Sequence, residues 1–389
     1  LTYHTAIGGQ LSKYCGEEKA MQLMDQVIQN FRRFHPKPEE IFMSDPQEEP
    51  EFIKPYFGLR MFPVWHIGSN FLHEIAKSWY QYLVNKGVNF WWNTEVIDIN
   101  FTNSTILFNP LGIAGPTDTH QVKYDTLIFA VGKSGIDFAQ KLANNYKLPN
   151  EPKSVQIGVR FEAPQKYFQK LIDVSYDFKL YKKFDNVSLR TFCTNNNAAY
   201  VAVEETYGDI SYNGHAKKGK KFENKMTNFG ILMEIKGIDN PFEWSREVVK
   251  KLQINGTGTY YSPNKTRKPS LTSEGNTVSS IQVDTMDILF EALGEEYAQY
   301  VEDFITEMQI VFPEMGNDWG IYMPEVKYLS PEPLVNYHNL SLTEYNNVHF
   351  VGDALSARGI TVSGAHGIYV AEKLIQHNHL VELTQSEQY

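Results

Sequence analysis

The chain has 389 residues, 42% hydrophobic and 14% aromatic, enough to bury a large core and divide into two domains. A formal net charge of −10 and a pI near 5.6 argue against a nucleic-acid-binding surface, whose footprint is basic. Cys15 and Cys193 are too few for a disulfide framework, the histidines lack ligand spacing for a metal, and no apolar run reaches the length of a membrane span. With no signal-peptide pattern, the expectation is a cytoplasmic protein with no metal and no membrane partner.

Taken in chain order, residues 17–34 show helical spacing, with Met21, Met24, Val27, Ile28 and Phe31 on one side. Prolines and acidic residues dominate 35–63, which reads as an irregular surface excursion. Residues 69–85 form a second amphipathic helix carrying Phe71, Leu72, Ile75, Trp79 and Leu83, with Gly87 as its C-cap. Alternation at Val88, Phe90, Trp92, Val96 and Ile97 predicts a strand, continued as a hairpin to about Phe108.

Residues 124–132, YDTLIFAVG, are continuously apolar from Leu127 to Val131, as expected of a parallel-sheet strand buried on both faces. They end in Gly132-Lys133-Ser134-Gly135, followed by a helix to about Asn144. Residues 155–161 predict a strand, 188–204 and 228–235 are β-type runs, and 286–312 is a long helical region.

The last segment, NVHFVGDALSARGITVSGAHGIYVAEKLIQH at 347–377, is the most informative. It reads as an apolar strand, a Gly-Asp pair, a loop of small residues and a helix with Ile368, Ala371, Leu374 and Ile375 on one face. Gly359, Gly364 and Gly367 strip side chains from the loop and first turn, so a flat ligand can touch backbone. N–H groups at the helix start favour negative charge, and Asp353 at the strand end suits ligand hydroxyls. Such a unit suits the ribityl chain and pyrimidine edge of FAD; the plain alternative is a strand–turn–helix with glycines for packing.

Together, DTLIFAVGKSG at 125–135, PKSVQIGVRFEAP at 152–164, RTFC at 190–193 and GD…RGITVSGAHGIYVAEKL at 352–374 resemble the uncharacterised bacterial FAD-dependent dehydrogenases of the glutathione-reductase-2 class. The opening LTYHTAIGG resembles the piece that follows a turn near the flavin in that family. The resemblance covers essentially the whole chain. It implies that Glu95 and Val96 meet the adenine, and that Ala130 and Gly132 pack against the ADP half of FAD. It also implies that Gly352 and Asp353 hold the ribityl chain, and that Gly359, Ile360, Thr361, Val362, Gly364 and Ala365 line the flavin edge, with Thr2 near the isoalloxazine. The family's Gly-x-Gly-x-x-Gly turn is expected before residue 1. Two stretches depart from the family pattern: His66-Ile67-Gly68-Ser69-Asn70 stands where relatives show Gly-Thr-Asp, and Asn195-Asn196-Asn197 replaces Pro-Gly-Gly.

Other residues carry competing readings. Cys193 suits a nucleophile, but a lone Cys after Phe in a strand is more often a small buried hydrophobe. His215 suits a proton donor beside reduced flavin or a solvated loop histidine. Lysines 217, 218, 220 and 221 suit an NADPH phosphate, an acidic substrate, or plain solvation. Arg160 and Arg190 within strands need an acid or a cavity, with Glu162 and Glu204 as candidate partners. Arg358 is the candidate charge for tuning the cofactor or orienting substrate.

The expected fold is α/β: a doubly wound parallel-sheet FAD-binding domain in two parts, 1–150 and 334–389, with a mixed α/β substrate domain inserted at 151–333. The expected function is an FAD-dependent oxidoreductase that moves a hydride between flavin and a small organic substrate. Reduction of a carbon–carbon double bond with NAD(P)H as donor is the preferred reaction. A non-catalytic FAD-binding or partner-binding protein and a flavin-dependent RNA modifier are the alternatives, the latter opposed by the acidic balance.

Overall fold

The computed structural model describes residues 1–6, 8–9, 11–110, 119–151, 153–270, 277–329 and 331–386. The protein is mixed α/β, with several separate sheets and, among the described residues, nine α-helices. It divides into two compact units, each built from discontinuous chain. One comprises Leu1–Tyr3, Glu39–Leu72 and Lys153–Leu329; the other comprises His4–Pro38, His73–Pro152 and Ser330–Tyr389.

The first unit is built on a nine-stranded sheet. Of its central strands, Val155–Pro164 and Val187–Asn197 flank Met226–Ile235, and each runs antiparallel to it. Phe161 and Phe229 stack at 5.0 Å across the middle pair, and Ile157, Val159, Ile231 and Met233 are fully buried. Gly158 lets the backbones meet: a Cβ there would lie 1.9 Å from the Ile231 carbonyl oxygen. A separate hairpin pairs Ala199–Thr206 with Asp209–Ala216. Its two-residue turn, Tyr207-Gly208, has positive φ at both positions, the twist that a tight hairpin requires.

Residues 39–72 are the main difference from the expected boundaries. The Pro-rich excursion contains the strand Gly58–Phe62, which pairs antiparallel with Asp177–Lys183 at the sheet edge. Five residues amid prolines carry too little alternation to register as a strand by pattern alone. The long helical region at 286–312 is two helices, Asp287–Leu293 and Glu295–Val311, because Gly294 adopts φ +84 between them.

In the second unit, the helix Glu17–Phe34 falls where its periodicity places it and buries Ala20, Leu23, Met24, Val27, Ile28 and Phe31. It packs on the helix Ile360–Ser386. The helix Leu72–Asn85 begins after a short 3-10 turn, and of its expected inward face only Ile75 is buried. Residues 88–93 form no strand; the strand is Thr94–Asn100, in a three-stranded antiparallel sheet with Thr105–Pro110 and His120–Lys123.

Parallel pairing in this unit is confined, among the described residues, to Leu127–Phe129 beside Val348–Phe350. The doubly wound parallel sheet expected from the sequence is therefore not seen among the described residues, where this two-stranded pair stands instead. Ile128 is 43% exposed, so the strand is covered on one face rather than two.

Candidate cofactor-binding site

The two apolar strands that lie farthest apart in this unit's sequence meet in register: Leu127 opposite Val348, Ile128 opposite His349, Phe129 opposite Phe350. Phe129 and Phe350 stack at 4.6 Å, and the Val351 amide donates to the Phe129 carbonyl at 3.1 Å. Because the pairing is parallel, both chains leave the sheet at the same margin. Ala130-Val131-Gly132 and Gly352-Asp353 thus emerge side by side, at the edge where open α/β sheets bind ligands.

Gly132 and Gly352 have φ of +65 and +64, a conformation that bulky L-residues avoid. At Gly132 a Cβ would meet nothing within 4 Å, so the backbone there faces open space. Asp353 Oδ1 accepts from Arg358 Nη1 at 2.5 Å, with side chains about one-fifth exposed (22% and 21%). Arg358 therefore compensates and orients the carboxylate at the strand end, rather than standing apart from it.

Gly359, with φ +87 and open space around it, leads into the helix whose first residue, Ile360, is 42% exposed. Ser363 N–H donates to the Gly359 carbonyl at 3.0 Å as the helical ladder begins. The amides of Ile360, Thr361 and Val362 precede that bond and lie at the positive end of the helix dipole. The side chains of Thr361, Val362 and Ala365 are buried.

Gly364 has a different role from the one its position suggested. A Cβ there would lie 3.0 Å from Val27 Cγ2, so its bareness serves the close approach of two helices instead of a ligand-facing surface. Conversely, Gly8 and Gly9 press on the loop. A Cβ at Gly8 would lie 2.2 Å from the Arg358 carbonyl oxygen, and the Arg358 amide donates to the Gly8 carbonyl. The adjacent Gly-Gly in a polar opening segment was the available signal for that contact.

The remaining expected residues stand elsewhere. Glu95 and Val96 are exposed on the strand Thr94–Asn100, opposite Asn109 and Phe108 in a separate sheet of the same unit. Thr2 belongs to the first unit, bridging Val64 and donating from Oγ1 to Asp177 Oδ2 at 3.0 Å. His215 is also in the first unit, exposed on the strand Asp209–Ala216 opposite Tyr200.

Two expectations about charged and reactive groups are corrected. Cys193 is exposed, with φ +51 at a register shift between Phe192 and Asn195, and is not a buried hydrophobe. Arg160 is fully buried, but its acid is Glu325 at 3.3 Å; it also donates to Asn228 Oδ1 and the Cys193 carbonyl. Glu162 pairs instead with Arg267 at 3.2 Å, while Arg190 donates to Gln156 at 3.4 Å. Alternation along one strand puts Arg160 and Glu162 on the same face, yet Arg160 finds its acid on the neighbouring strand Gly320–Lys327 and Glu162 finds its base in the loop at Arg267.

One buried group went unremarked in the sequence. His366, in the helix behind the loop, is fully buried with neither ring nitrogen hydrogen-bonded among the described residues, and burial lowers its pKa to about 4. No protein-family model matches the chain, and no curated protein matches it.

Proposed function

We propose that this chain is an FAD-dependent oxidoreductase acting on a small organic substrate, with the cofactor seated at the margin formed by residues 130–132 and 352–362. The observation that carries the reading is the parallel register of Leu127–Phe129 with Val348–Phe350, which brings two distant segments to one sheet edge. The open space beside Gly132 and Gly359 suits close approach of a flat or extended cofactor to backbone.

In this reading Asp353 accepts hydrogen bonds from ribityl hydroxyls, while Arg358 holds its carboxylate in place through Nη1. The amides of Ile360, Thr361 and Val362 stabilise negative charge on the pyrimidine edge of reduced flavin. The bound flavin supplies the hydride transfer itself, with NAD(P)H as electron source and a carbon–carbon double bond as the preferred acceptor. The protein positions the cofactor and balances its charge.

The test is a titration of the full-length protein with FAD, followed by flavin fluorescence, and then anaerobic addition of NADPH. Saturable quenching and bleaching of the visible flavin band are expected. A folded protein that takes up no FAD refutes the cofactor assignment. Retained yellow colour on NADPH or NADH addition refutes the catalytic one.

A further inference from the structure

We infer that the first unit contains a binding site for a small organic monocarboxylate with a planar apolar body, in a cavity floored by Phe42, His66 and Tyr176 and charged by Lys217 and Lys218. The inference does not depend on the flavin reading.

The cavity measures about 390 Å³, within the range of small-molecule sites. Its walls come from five separated stretches of chain, among them His66 and the Asn196-Asn197 pair. The Phe42 ring stacks on His66 at 4.6 Å, and Tyr176 meets His66 edge-on at 4.4 Å. Ser44 Oγ lies 2.8 Å from His66 Nε2 and fixes the imidazole. Three aromatic rings locked against one another make a rigid surface on which a planar group can lie with little ordering cost.

Charge decides the rest. Burial, with the amino terminus and then Lys218 adding their fields, holds the His66 pKa near 4, so the imidazole is neutral at pH 7 and the cations of the lining are the lysines. Lys217 and Lys218 are half-buried, whereas Lys220 and Lys221 of the same basic run are exposed. Lys218 Nζ donates to the Glu40 carbonyl and lies 5.0 Å from the Phe42 ring centroid, which holds the ammonium beside the aromatic floor. Asp45, Asp173 and Glu223, which also line the cavity, are exposed. Lys218 beside the aromatic floor, with the carboxylates at the rim, favours a single negative charge and opposes a polyanion such as a nucleotide.

A second, independent sign comes from Ser175. It is 3% exposed, borders the cavity, and its hydroxyl has no hydrogen-bond partner among the described residues. An orphaned buried hydroxyl is rare in a folded protein and marks this wall as one short of a polar partner.

The experiment is calorimetric titration of the full-length protein with trans-cinnamate, with trans-cinnamamide and inorganic phosphate as comparison ligands. Cinnamate should bind saturably with one site, and the neutral amide and phosphate should each bind at least about tenfold more weakly. Lys218→Gln should weaken cinnamate about tenfold without altering amide binding, while Lys220→Gln should leave cinnamate binding unchanged. Ser175→Ala, which removes only one oxygen, provides a second reading if Lys218→Gln unfolds, and should also weaken cinnamate. Absence of saturation up to about 10 mM in folded protein overturns the site. So does equal binding of acid and amide, equal binding of phosphate, or an equal effect of the two lysine substitutions.

Discussion

His366 gives the sharpest test of the structure, because one buried ring should write itself into the pH dependence of stability. Its imidazole is 0% exposed, lies edge-on to Tyr14 at 5.7 Å, and has no hydrogen-bond partner on either nitrogen among the described residues. Burial lowers its pKa from 6.5 to about 4. In the unfolded chain it protonates below about 6.5. Between these two values the unfolded state binds more protons than the folded state, so stability rises with pH. The contribution is complete above pH 6.5 and is lost progressively as the pH falls toward 4. The full difference is about 3 kcal/mol, and about 2 kcal/mol of it is lost between pH 7.5 and 5.0. His366→Leu keeps a similar volume and removes both the titration and the unsatisfied nitrogens. The variant should be at least as stable as the parent at pH 7.5, and more stable than it by about 2 kcal/mol at pH 5.0. Urea unfolding of both proteins at the two pH values measures this. His66 and other buried histidines add their own slopes, but those are common to parent and variant and cancel in the difference. Parallel loss of stability in the two proteins would refute the reasoning.

Arg160→Met should destabilise the first unit by about 3–5 kcal/mol, because the buried Glu325, 4% exposed, loses its arginine; adding Glu325→Gln should recover part of the loss in urea unfolding. Gly158→Ala places a methyl 1.9 Å from the Ile231 carbonyl and should lower stability by about 1–3 kcal/mol or prevent folding, read by thermal unfolding. Asp353→Ala removes the carboxylate at the sheet margin and should weaken FAD about tenfold or more, read by fluorescence quenching, with unfolding of the second unit unchanged within about 1 kcal/mol.

The parts of the fold that were legible in the chain were those with long, local patterns. The helix Glu17–Phe34 stands where its spacing puts it, since its whole buried face is written at intervals of three and four residues. The strands Val155–Pro164 and Met226–Ile235 were found as runs of apolar and β-branched residues, though both extend beyond the expected ends. The residues 88–93 misled, because aromatic alternation is the same whether rings pack inward or, as at Trp91 and Trp92, stay 59% and 65% exposed. Gly364 misled for a related reason: a missing side chain signals close approach without naming what approaches.

Local chemistry written in the residues determined the mixed α/β character, the apolar strand ends rich in glycine, and the basic run at 217–221, since each depends on neighbours a few positions away. Partner choice was decided only by tertiary structure. Which acid meets Arg160, which segment presses on Arg358, and how His66, Asn196 and Lys218 come to share one cavity all depend on pairings between distant strands and loops. Hydrogen-bond registers across a sheet are set by the collective burial of both strands' faces, a property of the assembled layers that no single stretch of chain encodes.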